Sequence, residues 1–386
     1  MIPIEREALK NMSNPGSLIQ LRRMLHAHPE VAGEENGTAE RILDFFTPLK
    51  PDQTLQKLGG TGLAFVFKGK RPGKRLMFRC ELDALPIQET GNPAYKSQIE
   101  GKAHLCGHDG HMAILCGLGE IQAQNRPEKG EIVLLFQPAE ETGDGARAIL
   151  NDPRFEQIKP DFAFALHNLP GYPLHQVVMR KETFAAGSTG MTIRLTGKTS
   201  HSAHPEAGLN PAQALAELIR KLPELPKEME GFCLITLIHA ELGNLAFGTS
   251  PGKANLSMTL RAFDQQDLDQ LIENVKSLAM ETASRTGLKI NFDFVEQFAV
   301  SVNDSDLYNI VEKTALDLGL SLFEKPEPFR WSEDFGLFSQ ICPSFLFGLG
   351  AGDSCPQLHE GTYDFPDELI ETGKGIFERI IKEVQA

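Results

Sequence analysis

Four short apolar runs constrain what this chain can become: 62–68 (GLAFVFK), 75–80 (RLMFRC), 131–136 (EIVLLF) and 161–166 (DFAFAL). Each is strand-length and nearly continuous rather than alternating, the pattern of strands buried on both faces. Amphipathic helical patterns at 15–28 and 35–50 come first, the second with Ile42, Leu43, Phe45 and Phe46 on its apolar face. A longer helical pattern, 108–126, separates the second and third runs. The alternation predicts an α/β domain with a mixed, mostly parallel sheet flanked by helices.

Ionisable residues follow these runs in a regular way. Asp83 comes after the second, Glu140 and Glu141 after the third and His167 after the fourth, while His359 follows a further run at 344–348 (SFLFG). Ligands of open α/β sheets bind outside the carboxyl ends of the strands. The pattern therefore delivers several charged side chains to one sheet edge.

The middle of the chain changes character. It reads strand 191–196, loop 197–208, helix 209–222, strands 232–239 and 254–263, helix 265–285 and strand 288–295. This β-α-β-β-α-β order is the split, ferredoxin-like pattern. It predicts a ferredoxin-like α+β domain over 185–297, inserted into a domain made of 1–184 and 298–386.

The run 106–111 (CGHDGH) concentrates a thiol, two imidazoles and a carboxylate in one turn. All are groups that bind borderline transition metals. Gly107 lets the backbone bend so that Cys106 and His108 address one centre. Glu140 and Glu141 are consecutive, so their side chains diverge. One can ligate a metal while the other takes a proton from the metal's water. His167 and His359 complete an inventory suited to two metals and a bridging water. Asp83 either orients a ligand imidazole or caps the turn that follows it. His201, in 197–205 (GKTSHSAHP), is either part of a polar turn or an imidazole that donates to a carbonyl oxyanion when the inserted domain closes.

A formal net charge of -14, without a stand-out Lys/Arg cluster, argues against nucleic acid as a partner. No stretch approaches the ~18 apolar residues of a membrane span. Residues 1–6 (MIPIER) lack a signal pattern, so cytoplasmic residence is expected. The six cysteines have no framework spacing and read as free thiols or ligands.

These motifs carry a resemblance over nearly the whole length: 22–30 (RRMLHAHPE), 82–87 (LDALPI), 106–111, 137–141 (QPAEE), His167-Asn168, 201–203 (HSA), 332–335 (SEDF) and the segment from His359 to Asp364. The chain resembles the aminoacylase/carboxypeptidase family of metal-dependent amidohydrolases. The similarity is to the branch of hippurate hydrolases, N-acyl-amino-acid amidohydrolases and indole-acetyl-amino-acid hydrolases. The resemblance implies two divalent ions, zinc, manganese or similar, with Cys106, His108, Glu141, His167 and His359 as ligands. It makes Glu140 the general base and acid acting with a metal-bridging hydroxide, and His201 the residue serving the oxyanion. It also implies a homodimer formed through the inserted lid, and a small N-acyl amino acid or peptide as substrate. A metallo-dipeptidase or a catalytically silent binding protein are the alternatives. Three departures stand out. Glu81 occupies a position that is usually Asp in this branch, 248–251 (GTSP) replaces an Asn-Val-Ile-Pro segment, and Thr199-Ser200-His201 replaces Gly-Gly-His.

Overall fold

The computed structural model describes residues 15–385; the N-terminal stretch 1–6, on which the cytoplasmic expectation rests, lies outside them. The chain runs through α1 (Pro15–Ala27), α2 (Asn36–Phe46), β1 (Gln53–Leu58), β2 (Gly62–Lys68), β3 (Arg71–Glu81), α3 (His108–Gln124), β4 (Lys129–Gln137), α4 (Gly145–Asn151), β5 (Phe162–Leu169) and β6 (Val177–Met179). There follow β7 (Gly187–Thr196), α5 (Ala212–Lys221), β8 (Cys233–Leu242), β9 (Lys253–Ala262), α6 (Gln265–Thr286) and β10 (Lys289–Phe298). It returns through α7 (Ser305–Asp317), β11 (Leu322–Glu324), β12 (Ser344–Gly350) and α8 (Leu369–Gln385). Two compact units result. One comprises the residues up to Phe184 with 301–327 and 334–386; the other comprises 185–300 with 328–333.

The first unit is built on an eight-stranded sheet in the order β1-β2-β4-β3-β5-β12-β6-β11. Its four central strands, β4, β3, β5 and β12, run parallel to one another, whereas β1 pairs antiparallel with β2 and β2 with β4. β6 runs antiparallel to β12 and parallel to β11. Every residue of β12, and residues 76–81 of β3, are buried, as a sheet covered on both faces requires. Phe46 of α2 stacks on Phe65 of β2 at 3.9 Å between ring centroids, and Phe377 of α8 packs on Phe78 of β3.

Several boundaries differ from the sequence reading, two of them for evident local reasons. The helix expected over 35–50 ends at Phe46 and tightens into a 3₁₀ turn, Thr47–Leu49, at Pro48. The fourth apolar run does not end before His167. β5 continues to Leu169, because Gly348, Leu349 and Gly350 of β12 pair with His167, Asn168 and Leu169. His167 and Asn168 are themselves buried, so polar residues that break the apolar run remain within the strand.

The second unit carries a four-stranded antiparallel sheet in the order β8-β9-β7-β10, with β8 and β10 at its edges. β9 alternates strictly between buried and less buried positions, and its inward residues Leu256, Met258 and Leu260 pack with Leu215, Leu218, Leu271 and Val275 of the two helices. Asp264 caps α6 by accepting from the Gln266 and Asp267 N–H groups. No helix among the described residues is long and apolar enough to cross a membrane.

Candidate metal centre

The carboxyl ends of the parallel strands, the start of α3 and the segment after β12 bring the candidate residues together. Gly107 precedes α3 with φ of 90°, and a Cβ there would lie 2.6 Å from Asn168 Oδ1. Only glycine meets both demands, the left-handed turn and the close approach. The turn sends Cys106 and His108 inward, both buried.

The His108 ring is oriented by Asp83, because Nδ1–H donates to the Asp83 carbonyl oxygen at 2.9 Å. With the proton on Nδ1, the Nε2 lone pair faces inward, where it is buried without a hydrogen-bond partner. Asp83 also accepts from the Glu141 backbone N–H at 3.0 Å through Oδ2. It thus touches two of the candidate ligands, by its carbonyl and by its carboxylate.

Glu140 and Glu141 follow a reversal at Ala139, whose φ is 50°. The buried Glu35 carboxylate holds this strained residue in place, accepting from the N–H groups of Ala139 and Gly33, both at 2.9 Å, and from Thr61 Oγ1 at 2.8 Å. His359 is likewise left-handed, with φ of 67°, and its N–H donates to the Leu105 carbonyl at 2.8 Å. That bond ties the segment after β12 to the strand of chain entering Cys106.

Among the groups of ligand atoms whose members all lie within 4.8 Å of one another are three built from the candidate residues: Cys106, His108 and His167; Cys106, Glu141 and His359; and His108, Glu140 and Glu141. Cys106 is common to the first two, with Sγ 3.5 Å from His167 Nε2. His167 directs Nε2 at the thiol because Nδ1–H donates to the Asn168 carbonyl at 2.9 Å. Glu140 belongs to neither of the thiol-containing groups.

The electrostatics call for positive charge. Burial alone would lower the His108 pKa, but Asp83, Glu81 and Glu141 outweigh it and raise it to about 10. Burial, then Glu141, Glu140 and Glu81, push the Cys106 thiol well above its ordinary value. A divalent cation reverses both tendencies, since it deprotonates a coordinating thiol and takes an imidazole as the neutral ring. The orphaned His108 Nε2 and the mixed S, N and O donors fit such a cation.

Behind the loop lies a buried ionic cluster that sequence reasoning missed. Arg22 Nε lies 2.8 Å from Asp109 Oδ2, which also meets His26 Nδ1 at 2.9 Å, and Arg22 pairs with Asp364. His26 Nε2 faces Glu89 at 3.5 Å. The signal available was the Arg22-x-x-x-His26 spacing, which places both residues on one face of α1.

His201 belongs to the inserted unit and is exposed on a two-residue strand paired with Thr249. Its Nδ1 accepts from the Ala203 N–H at 3.0 Å, leaving the ring proton of the neutral form on Nε2. Arg261 of β9 donates to Ser332 Oγ at 2.9 Å and to the Arg330 carbonyl at 3.0 Å.

A parallel-centred α/β sheet with buried thiol, imidazole and carboxylate groups at its carboxyl edge defines the class of metal-site hydrolases. Residues 77–383 match the model of peptidase family M20/M25/M40, and the chain belongs to that family of hydrolases acting on amide bonds. It is 30% identical over 379 residues to an uncharacterised hydrolase of Staphylococcus saprophyticus, covering 95% of this chain and 97% of the relative. It is 30% identical over 366 residues to N-acetyldiaminopimelate deacetylase of Halalkalibacterium halodurans (92% and 95%). It is 27% identical over 371 residues to hippurate hydrolase of Campylobacter jejuni (95% and 96%). The fold matches that of a dinuclear metal binding peptidase of family M20 from Bacillus subtilis, with a TM-score of 0.81, 24% identity and coverage of 96% and 98%.

Proposed function

We propose that this protein is a binuclear-metal amidohydrolase that removes the acyl group from an N-acyl amino acid. The observation that carries this reading is the sharing of Cys106 between two ligand groups while Glu140 stands outside both. Cys106, His108 and His167 would hold one divalent ion, and Cys106, Glu141 and His359 the other, zinc and manganese both suiting this donor set. When bound, such a pair supplies Lewis acidity for the acyl carbonyl and acidifies a water between its members.

The chain's own residues do the rest. The Glu140 carboxylate takes the proton of the attacking water and delivers it to the leaving amine nitrogen. His201 donates from Nε2 to the developing acyl oxyanion, with Nδ1 committed to Ala203. Arg261 is the proposed partner of the substrate carboxylate. Relatives named for the deacetylation of N-acetyldiaminopimelate and the hydrolysis of hippurate support the substrate class. The edge strand β8 exposes Ile238, and the following loop exposes Leu245 and Phe247, which supports the inserted unit as the surface of a homodimer. Six free cysteines fit a reducing, cytoplasmic setting.

The test is hydrolysis of N-acetyl, N-benzoyl and indole-acetyl amino acids beside dipeptides, with zinc, manganese or cobalt added, for the protein and for Glu140→Gln. The expected result is metal-dependent release of the free amino acid, with kcat lowered ~10²–10⁴-fold in the variant. Turnover of dipeptides alone overturns the substrate reading, and a fully active Glu140→Gln overturns the role of Glu140.

A further inference from the structure

A line of buried hydrogen bonds runs beneath the ligands and ends on one of them. Arg79 donates to Glu81 and Asp334 through its Nη atoms and to Gln137 Oε1 through Nε, at 2.9 Å for the last. Glu81 Oε2 meets His111 Nδ1 at 2.6 Å. His111 Nε2 accepts the Asn168 backbone N–H at 3.3 Å, and the Asn168 carbonyl accepts from His167 Nδ1. Arg79, Glu81, His111, Asn168 and Asp334 are all buried.

The sense of each bond is dictated by its neighbour. A backbone N–H can only donate, so His111 Nε2 carries no proton and Nδ1–H donates to Glu81. Burial alone would raise the Glu81 pKa, but Arg79 and then His111 outweigh it and hold the carboxyl well below its ordinary value. Ligand atoms of Glu81, His108 and His111 also lie within 4.8 Å of one another, which raises the question of a further ligand group. Both His111 nitrogens are already committed, so the ring is not available as a ligand. Its contacts point towards Asn168 instead.

We propose that Glu81 and His111 are positioning residues for His167: the pair fixes residue 168, and residue 168 fixes the tautomer and direction of the imidazole facing Cys106. The inference rests on the two-ion reading and goes beyond it, because it makes the two ion positions unequal. Only the one that includes His167 depends on Glu81. In Glu81→Gln the side chain keeps one acceptor where two donors, Arg79 and His111 Nδ1–H, require one each. His111 then shifts its proton to Nε2, against the Asn168 N–H.

The experiment is a Co(II) titration of metal-free protein, following thiolate-to-cobalt absorption and bound cobalt, for the wild type, Glu81→Gln, His111→Gln and Glu140→Gln. Thermal melts of the metal-free proteins identify folded variants, and His111→Gln supplies the measurement if Glu81→Gln does not fold. The expected result is two Co(II) per wild-type chain, with one of the two bound ~10–100-fold more weakly in the Glu81 and His111 variants. Equal weakening of both ions in a folded variant, or no weakening, overturns the positioning role. A wild type that does not take up two Co(II) overturns the two-ion reading, and this inference with it. A Glu140→Gln protein that binds both ions normally but has lost turnover upholds the proposed function separately.

Discussion

Cys106 Sγ and His167 Nε2 lie 3.5 Å apart although 61 residues separate them in sequence. The thiol arrives from the loop before α3 and the imidazole from inside β5, so their approach depends on the tertiary fold. Cys106→Ser replaces a soft thiolate with a poorly acidic hydroxyl at the atom shared by both ligand groups. Both ions should be weakened, and by more than the ~10–100-fold typical of losing an outer hydrogen-bond partner. Metal analysis after dialysis against a graded chelator series measures this, and retention of both ions would refute the shared role.

Gly107→Ala should damage stability and the metal centre together. A non-glycine residue in the left-handed region costs ~1–3 kcal/mol at a constrained site, and the added Cβ would sit 2.6 Å from Asn168 Oδ1. Chemical denaturation of the metal-free protein should show a loss of about 2 kcal/mol or more, with weaker metal uptake because His108 is the next residue.

Arg22→Met removes the cation of a fully buried pair and leaves Asp109 between His26 and an apolar side chain. Breaking one partner of such a pair typically costs ~3–5 kcal/mol. A depressed melting temperature is expected. Adding Asp109→Asn should recover part of the loss, because the stranded charge is then gone.

The same cluster sets a pH dependence. Burial lowers the His26 pKa, but hydrogen bonds to Asp109 and Glu89 outweigh it and raise it to about 9. A folded-state value above the ordinary 6.5 means that its contribution is fully present below about pH 6.5 and is lost as pH rises through 9. Urea denaturation of metal-free protein should therefore show stability falling across that interval, by up to about 3 kcal/mol. His26→Gln should be less stable at pH 6 and flatter above it.

Much of this architecture is legible from local pattern. The runs at 62–68, 75–80 and 131–136 are apolar throughout because both faces of β2, β3 and β4 are covered, and continuous burial needs no knowledge of partners. Cys106 and His108 stand out because their spacing alone brings them together. The roles of Glu35, Glu81 and Asp109 do not, because each acts through a partner distant in sequence: Glu35 through Ala139, Glu81 through His111, Asp109 through Arg22. Periodicity reports which face of an element is buried, and an acid on that face looks like an error until its partner is known. Ala139 and His359 adopt left-handed backbone that their residue types disfavour, so no local preference announces either turn.

The four central strands of the large sheet share one direction, and the candidate ligand groups gather at their carboxyl ends. The opposite rim holds an open cavity of about 780 Å³ lined by Lys68, Lys70, Arg71 and Lys159 among others, and none of these side chains belongs to the ligand groups. A fluorophore or a solid support coupled through Lys70 or Lys159, whose side chains are exposed, would therefore attach at the rim away from the candidate ligand groups.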